Sequence, residues 1–404
     1  VIMLYGRSLS RDDIAALSGS LQAFGGVRLF TLGDGVERGV RMLEFRTGSG
    51  LRFTLAVDRA LDIAEVERRG RPLGWHSPTG FRHPAYFDYE GEDGLGPLRS
   101  FSGFLVTCGL DHILGSGEVS ARSYNYPRRT VVRHGLHGRV SNIPARLTGY
   151  GERWEGDRCI LWAEGIVVQA TNFGENLHLY RRIEADLGGN EIRLSDRVVN
   201  EGFLTTPHMF FYHVNIGAPL LEEGARYVAP IREVVWAGHA GARYRAQGVG
   251  YRTAPPPMRD FAEQVWEHDM AADGQGRVPV ALLNDRLGLG LEVVTRKDQL
   301  PCSYQWQNFQ AGSYALGIEP STHHVLGDKA ARERGEMIWL GARESRSYEI
   351  RFQVLDGEEA LSQAAARIRA IVPQPDDDYP EPSGRFAPLD GPGRRSPLPE
   401  EVTS

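Results

Sequence analysis

The sequence predicts an all-β protein, a β-supersandwich with a few short helices. Three observations carry that prediction. Turns are well supplied, with 48 glycines and 23 prolines, and 7 Trp, 15 Tyr and 16 Phe suit pleated, half-buried surfaces. Strand-like runs follow one another with no helical segments between them, which argues for stacked antiparallel sheets rather than βαβ units. Hydrophobic residues make up 41% of the 404, enough for a large core.

Taken in order, residues 1–26 form an N-terminal helical segment. Ser10 is its predicted cap, Asp12 and Asp13 favour its positive end, and Gly25-Gly26 closes it. Val27–Leu32, Val40–Arg46 and Leu51–Val57 alternate partly between apolar and polar residues and read as strands. Residues 60 to 150 are irregular and rich in Gly, Pro, His and aromatics, as loops that carry function often are. Cys159–Ala163 and Val167–Thr171 read as two paired strands. Leu177–Asp186 and Glu191–Asn200 flank Gly188-Gly189-Asn190 and read as a long hairpin. Thr206–Gly217, Gly288–Val294, Tyr314–Glu319 and Ser347–Val354 continue the pattern. Glu358–Ile371 carries alanines and alternating charge and predicts one amphipathic helix. The main domain is expected over 27–372. Residues 373–404, rich in Pro, Gly and acidic groups, are expected to be a tail or strap.

Bulk properties exclude several classes. A net charge of −6 leaves no basic face for a phosphate backbone, so nucleic acid is not an expected partner. No apolar run is long enough for a membrane span, and the first residues do not resemble a signal peptide. Three scattered cysteines, Cys108, Cys159 and Cys302, fit a reduced, cytoplasmic location better than a disulfide framework. There is no GxGxxG opening a helix, no P-loop, no HExxH and no GxSxG.

Three segments hold the candidate chemistry. In His134-Gly-Leu-His137-Gly138-Arg139, extending to Asn142 and Pro144, glycines let backbone approach a ligand and Arg139 can donate to hydroxyls. In His208-Met-Phe-Phe-Tyr212-His213-Val-Asn215, the strand period puts His208, Phe210 and Tyr212 on one face and His213 and Asn215 on the other. One of the two histidines is then a core or edge residue. In Tyr314-Ala-Leu-Gly317-Ile-Glu319-Pro320, the proline is expected to stop strand pairing, leaving Glu319 at a strand end where loss of solvent would make it a base near neutral pH. Each segment also has a plain structural reading as a turn, a core residue or an ion pair. Asp58-Arg59-Ala-Leu-Asp62 could form a strand-end ion pair, and Trp75, Tyr304 and Trp306 could stack on a sugar or lie in the core. His76, His83 and His112 leave some scope for a metal, whereas His323-His324 has no carboxylate at regular metal spacing.

Together, Asp58-Arg-Ala-Leu-Asp-Ile63, Thr107-Cys-Gly-Leu110, Leu136-His-Gly-Arg-Val-Ser-Asn142, Tyr212-His-Val-Asn215 and Gly317-Ile-Glu-Pro320 resemble the aldose 1-epimerase (galactose mutarotase-like) superfamily. The closer match is a bacterial branch of it classed as a domain of unknown function. The resemblance spans about Asp58 to Val354. It implies a β-supersandwich with a cleft, Glu319 as general base, His137 as a substrate contact and a strand histidine as general acid. His213 matches the branch pattern better than His208. The usual mutarotase arginine has no clear match, and Arg59 or Arg139 could take its place. Expected substrate contacts are Arg59, Asp62, Arg139, Asn142, His208, Asn215 and Trp306. The implied reaction is proton transfer between oxygens of a monosaccharide or sugar derivative, with no cofactor and no metal; a homodimer is compatible. Alternatives are a sugar-binding protein without turnover, a metal-dependent sugar or uronate isomerase-epimerase, and a glycoside hydrolase or lyase using Asp62 or Tyr212.

Overall fold

The computed structural model describes residues 1–238, 248–375 and 382–383. Most of the expected 373–404 strap therefore lies outside the described residues. Two large antiparallel sheets dominate. One has eight strands, in the order Arg146–Glu155, Arg158–Ala170, Asn176–Asp186, Glu191–Asn200, Ser345–Asp356, Leu289–Arg296, Arg277–Asn284 and Arg226–Val228. The other has seven. Its main order is Ile231–Ala237, Gln264–Met270, Cys302–Asn308, Ala315–Ser321, Thr206–Ile216 and Ile338–Leu340, and Leu105–Leu110 pairs along the second edge of Thr206–Ile216. A five-stranded meander over residues 26–72 adds a third sheet.

The sheets stack because their strands alternate. His208, Phe210 and Tyr212 point from the seven-stranded sheet into the core, where Phe210 stacks on Tyr348 at 4.6 Å between centroids and Tyr212 donates to Asp196 at 2.7 Å. The centre of that core is polar as well as apolar. Arg181, fully buried, donates to Asp196 at 2.7 Å and Asp62 at 2.6 Å, and Asp62 accepts from Thr107 Oγ1 at 2.5 Å. Every member has a partner, which is the condition under which a buried ionic network is tolerated.

Several local expectations change. Ser10 does cap the Arg11–Leu17 helix, through a capping box with Asp13, but a hairpin of Ile2–Leu4 with Arg7–Leu9 precedes it. Cys159–Ala163 and Val167–Ala170 are parts of one strand, Arg158–Ala170, which runs through Gly165 with its pairing unbroken, Gly165 standing opposite Arg181. The long hairpin forms as expected, and the late helix spans Glu358–Arg369. Pro320 does not end its strand. Ala315–Ser321 continues through it, with Ser303 opposite Pro320 and Cys302 opposite Ser321. On the other edge, pairing lapses between Phe211↔Ser321 and Val214↔Ile318, beside the proline that has no N–H to offer.

Candidate active site

The same register places His213 across from Glu319, on the sheet face that points away from the core. Nε2 of His213 lies 3.0 Å from Oε1 of Glu319, and each side chain is only 4% exposed. The carboxylate oxygen Oε1 and Nδ1 of His213 have no hydrogen-bond partner among the described residues. Burial pushes Glu319 well above the ordinary carboxylate range, and the Glu263 charge adds to it. Burial pushes His213 well below the ordinary imidazole range, with His137 adding to the effect and the Asn215 side chain opposing it. Both shifts favour a neutral pair, a carboxylic acid beside an unprotonated imidazole.

Aromatic rings surround the pair. Phe101 meets the His213 ring edge-on at 4.8 Å, Trp306 at 5.2 Å and His137 at 5.5 Å. Trp75 lies 5.9 Å from Trp306 and 6.4 Å from Phe101. Trp75, Phe101, His137 and Trp306 all retain some exposure, so they form a partly open rim over a closed floor. Gly317 keeps the floor free. A Cβ there would stand 2.5 Å from Oε1 of Glu319 and 3.3 Å from Cε1 of His213.

His137 owes its place to its turn. Its φ is +63°, its N–H donates to Leu114 O at 2.8 Å, and its carbonyl accepts from Gly109 N at 3.1 Å. Gly138 must be glycine, since a Cβ would meet Gly109 O at 2.3 Å and φ is +81°. His137 as a residue keeps some exposure, yet burial of the ring pushes it down to about 3, with His112 contributing.

The remaining expected contacts divide. Trp306 is at the rim, its indole N–H donating to Glu263 at 3.0 Å. Asn215 shares the face of His213 but donates to Gly103 O at 3.0 Å. Asn142 is buried beside Ser141, with its oxygen lacking a partner among the described residues. Arg59 is buried and donates to the carbonyls of Ser100 and Ser141, so it ties the Phe101 segment to the His137 turn, while its Nη1 has no hydrogen-bond partner among the described residues. Asp58 pairs with Arg41, not Arg59. Asp62 is committed to Arg181 and Thr107 and cannot also bind a sugar. Nor can it serve as the second carboxylate of a hydrolase, and Tyr212 is likewise held in the core by Asp196. His208 is a satisfied core histidine, bonded to Leu110 O at 2.8 Å and Tyr348 Oη at 2.7 Å. Arg139 lies over the Tyr89 ring at 3.7 Å and is not engaged with His213 or Glu319. Tyr304 is fully buried and bonded to Ser321 at 2.8 Å, so it does not belong to the rim. His83 caps a turn, His76 packs on Phe81, and His112 stacks on His134 at 4.3 Å. Phe101 was missed because its loop has no periodicity to read. The only signal was aromatic density.

A family model described as a domain of unknown function (DUF4432) matches residues 37–354. The chain belongs to that family. No curated protein matches the chain. Among solved structures, a candidate aldose 1-epimerase from Klebsiella pneumoniae is 25% identical, with TM-score 0.76 over 87% of this chain and 88% of that one. A galactose mutarotase-like protein from Clostridium acetobutylicum is 11% identical, with TM-score 0.55 over 82% and 98%. Galactose 1-epimerase from Lactobacillus acidophilus is 13% identical, with TM-score 0.51 over 82% and 99%. The fold of this DUF4432 chain is that of the aldose 1-epimerase, galactose mutarotase-like proteins. Among the described residues, no helix is long and apolar enough to cross a membrane.

Proposed function

We propose that the chain binds the ring form of a sugar beneath Trp75, Phe101 and Trp306 and interconverts its anomers through His213 and Glu319. The observation that carries this reading is the 3.0 Å contact between a buried imidazole and a buried carboxyl, inside an aromatic rim. Aromatic faces suit the C–H surface of a pyranose. Mutarotation needs one group to take the anomeric hydroxyl proton and another to protonate the ring oxygen. The C1–C2 bond then rotates and the steps reverse.

The electrostatics alter the starting roles. Glu319, neutral in its buried site, begins as the acid toward the ring oxygen, and unprotonated His213 begins as the base toward the anomeric hydroxyl. Ring closure from the other face exchanges the roles. His137 would hold a hydroxyl, and Arg59 acts as a positioning residue through Ser100 and Ser141. A binding protein without turnover is the second reading, favoured by the low exposure of the pair. Polarimetry on anomerically pure sugars separates the two. Under the first reading Glu319→Gln loses about 10²–10⁴-fold in rate while still binding sugar. Binding with no acceleration by the unaltered protein would select the second.

A further inference from the structure

We propose that Glu267, Cys302 and His324 form a binding site for a divalent transition metal of the zinc class. Three strands bring them together. Glu267 lies within Gln264–Met270, Cys302 opens Cys302–Asn308, and His324 follows Ala315–Ser321 by three residues. The pairs Glu267↔Tyr304 and Cys302↔Ser321 put Glu267 and Cys302 on the sheet face that also carries Glu319. All three ligand atoms lie within 4.8 Å of one another.

The donor geometry fits a small tetrahedral ion. Sγ of Cys302 lies 3.5 Å from Nδ1 of His324, where zinc–sulfur and zinc–nitrogen bonds require about 3.6 Å. Oε1 of Glu267 lies 2.5 Å from the same nitrogen, so loading opens that contact by about 1 Å. The second carboxylate oxygen accepts from Val325 N at 3.1 Å, an outer contact that orients the ligand. One thiolate, one carboxylate and one neutral imidazole together carry the charge that a divalent ion balances. Sulfur and nitrogen donors select zinc-like ions over magnesium or calcium. A Glu–His ion pair alone gives no role to the thiol.

The three residues line a cavity of about 640 Å³, which Lys297 and Arg334 also border. An ion there keeps a fourth position open, as in catalytic rather than closed structural sites. The fitting ligand class is a small molecule bearing a carboxylate or a vicinal hydroxyl pair. Tyr304 pairs with both Glu267 and Glu319, so the Glu267 backbone stands about 10 Å from that of Glu319, two strand spacings away. A second cluster, His112, His134 and Asp328, leaves Nδ1 of His112 without a hydrogen-bond partner among the described residues but offers no sulfur donor. Asp328 pairs with Arg332 at 2.6 Å, and His112 bonds to Gly115 O at 2.8 Å.

The test is titration of the full chain, tag-free and stripped by chelator, with Co²⁺ while recording its absorption spectrum. One equivalent should bind with a sulfur-to-cobalt charge-transfer band and tetrahedral d–d bands, and Zn²⁺ should displace it. Cys302→Ser should abolish the charge-transfer band. His324→Ala, at a partly exposed position, should weaken binding by more than the roughly 10–100-fold cost of losing an outer-shell partner. It serves as the second variant if Cys302→Ser fails to fold. Absence of stoichiometric cobalt overturns the proposal. So does cobalt bound without a sulfur band, which would place the ion at His112 and His134 or elsewhere.

Discussion

Glu319 occupies a site that stabilises its uncharged form. Its folded pKa lies above its ordinary 4.5, so the sign of its pH effect is fixed. Below about 4.5 both folded and unfolded chains hold the proton and there is no penalty. As pH rises, the unfolded chain ionises while the folded chain resists, and stability falls until the folded pKa is passed. Glu319→Gln should therefore raise the melting temperature at neutral pH, with the gain fading below about pH 4.5. Thermal scans across pH check this, and a gain that is constant with pH would place its cause elsewhere. Gly317 is the second informative residue. Gly317→Ala puts a methyl group 2.5 Å from the Glu319 carboxylate, which must then move off His213. A displacement near 1 Å costs about 10²-fold in rate, so kcat should fall by that order with little change in melting temperature. The chemical types at this scale were legible in the sequence. Gly-Ile-Glu-Pro and Tyr-His-Val-Asn pointed to Glu319 and His213, and the period of two correctly sent His208 and His213 to opposite faces. Partners were not legible: nothing local told that Asp62 belongs to Arg181, 119 residues away.

At the scale of elements, the Arg181 network locks the meander and Leu105–Leu110 to the strands of both large sheets. Asp62 comes from the Asp62–Arg68 strand, Thr107 from Leu105–Leu110, Arg181 and Asp196 from the long hairpin, and Tyr212 from the strand that carries His213. Arg181→Ala strands two buried carboxylates. It should destabilise the fold by about 3–5 kcal/mol, read by denaturant unfolding, whereas replacing exposed Arg343 should change little. Equal costs for the two would remove the network as a structural keystone. Strand runs were readable because alternation is a local signal, and the hairpin because Gly188 and Gly189 mark its turn. The Pro320 expectation failed because a strand has two edges: proline lost pairing on the His213 side only, while the Cys302 side held. Glu267 beside His324 was invisible for a related reason. Metal spacing in sequence presumes one element, and this trio comes from two strands and the segment that follows a third.

At the scale of the whole molecule, buried histidines should make the fold acid-labile. Burial depresses His134, His208 and His323 to about 4 and His137 and His268 to about 3, against an ordinary 6.5. Their neutral forms are stable in the folded chain above 6.5. Below it the unfolded chain takes up protons that the folded chain refuses, each such histidine removing about 1.4 kcal/mol per pH unit. Unfolding free energy should drop steeply from pH 6.5 towards 4, and a flat profile there would show these rings protonated in the native state. The all-β architecture followed from composition and turn spacing, and the superfamily resemblance supplied the sandwich. Neither could show that His213 and Glu319 lie together on a floor almost sealed by four rings. For that arrangement the decisive observation is anomer exchange by NMR at equilibrium, over a panel of neutral and acidic sugars. Exchange cross-peaks between α and β forms of at least one sugar should appear with the unaltered protein and vanish with His213→Phe. Undiminished exchange in His213→Phe, or none for any sugar that demonstrably binds, would contradict a proton-transferring role for the pair.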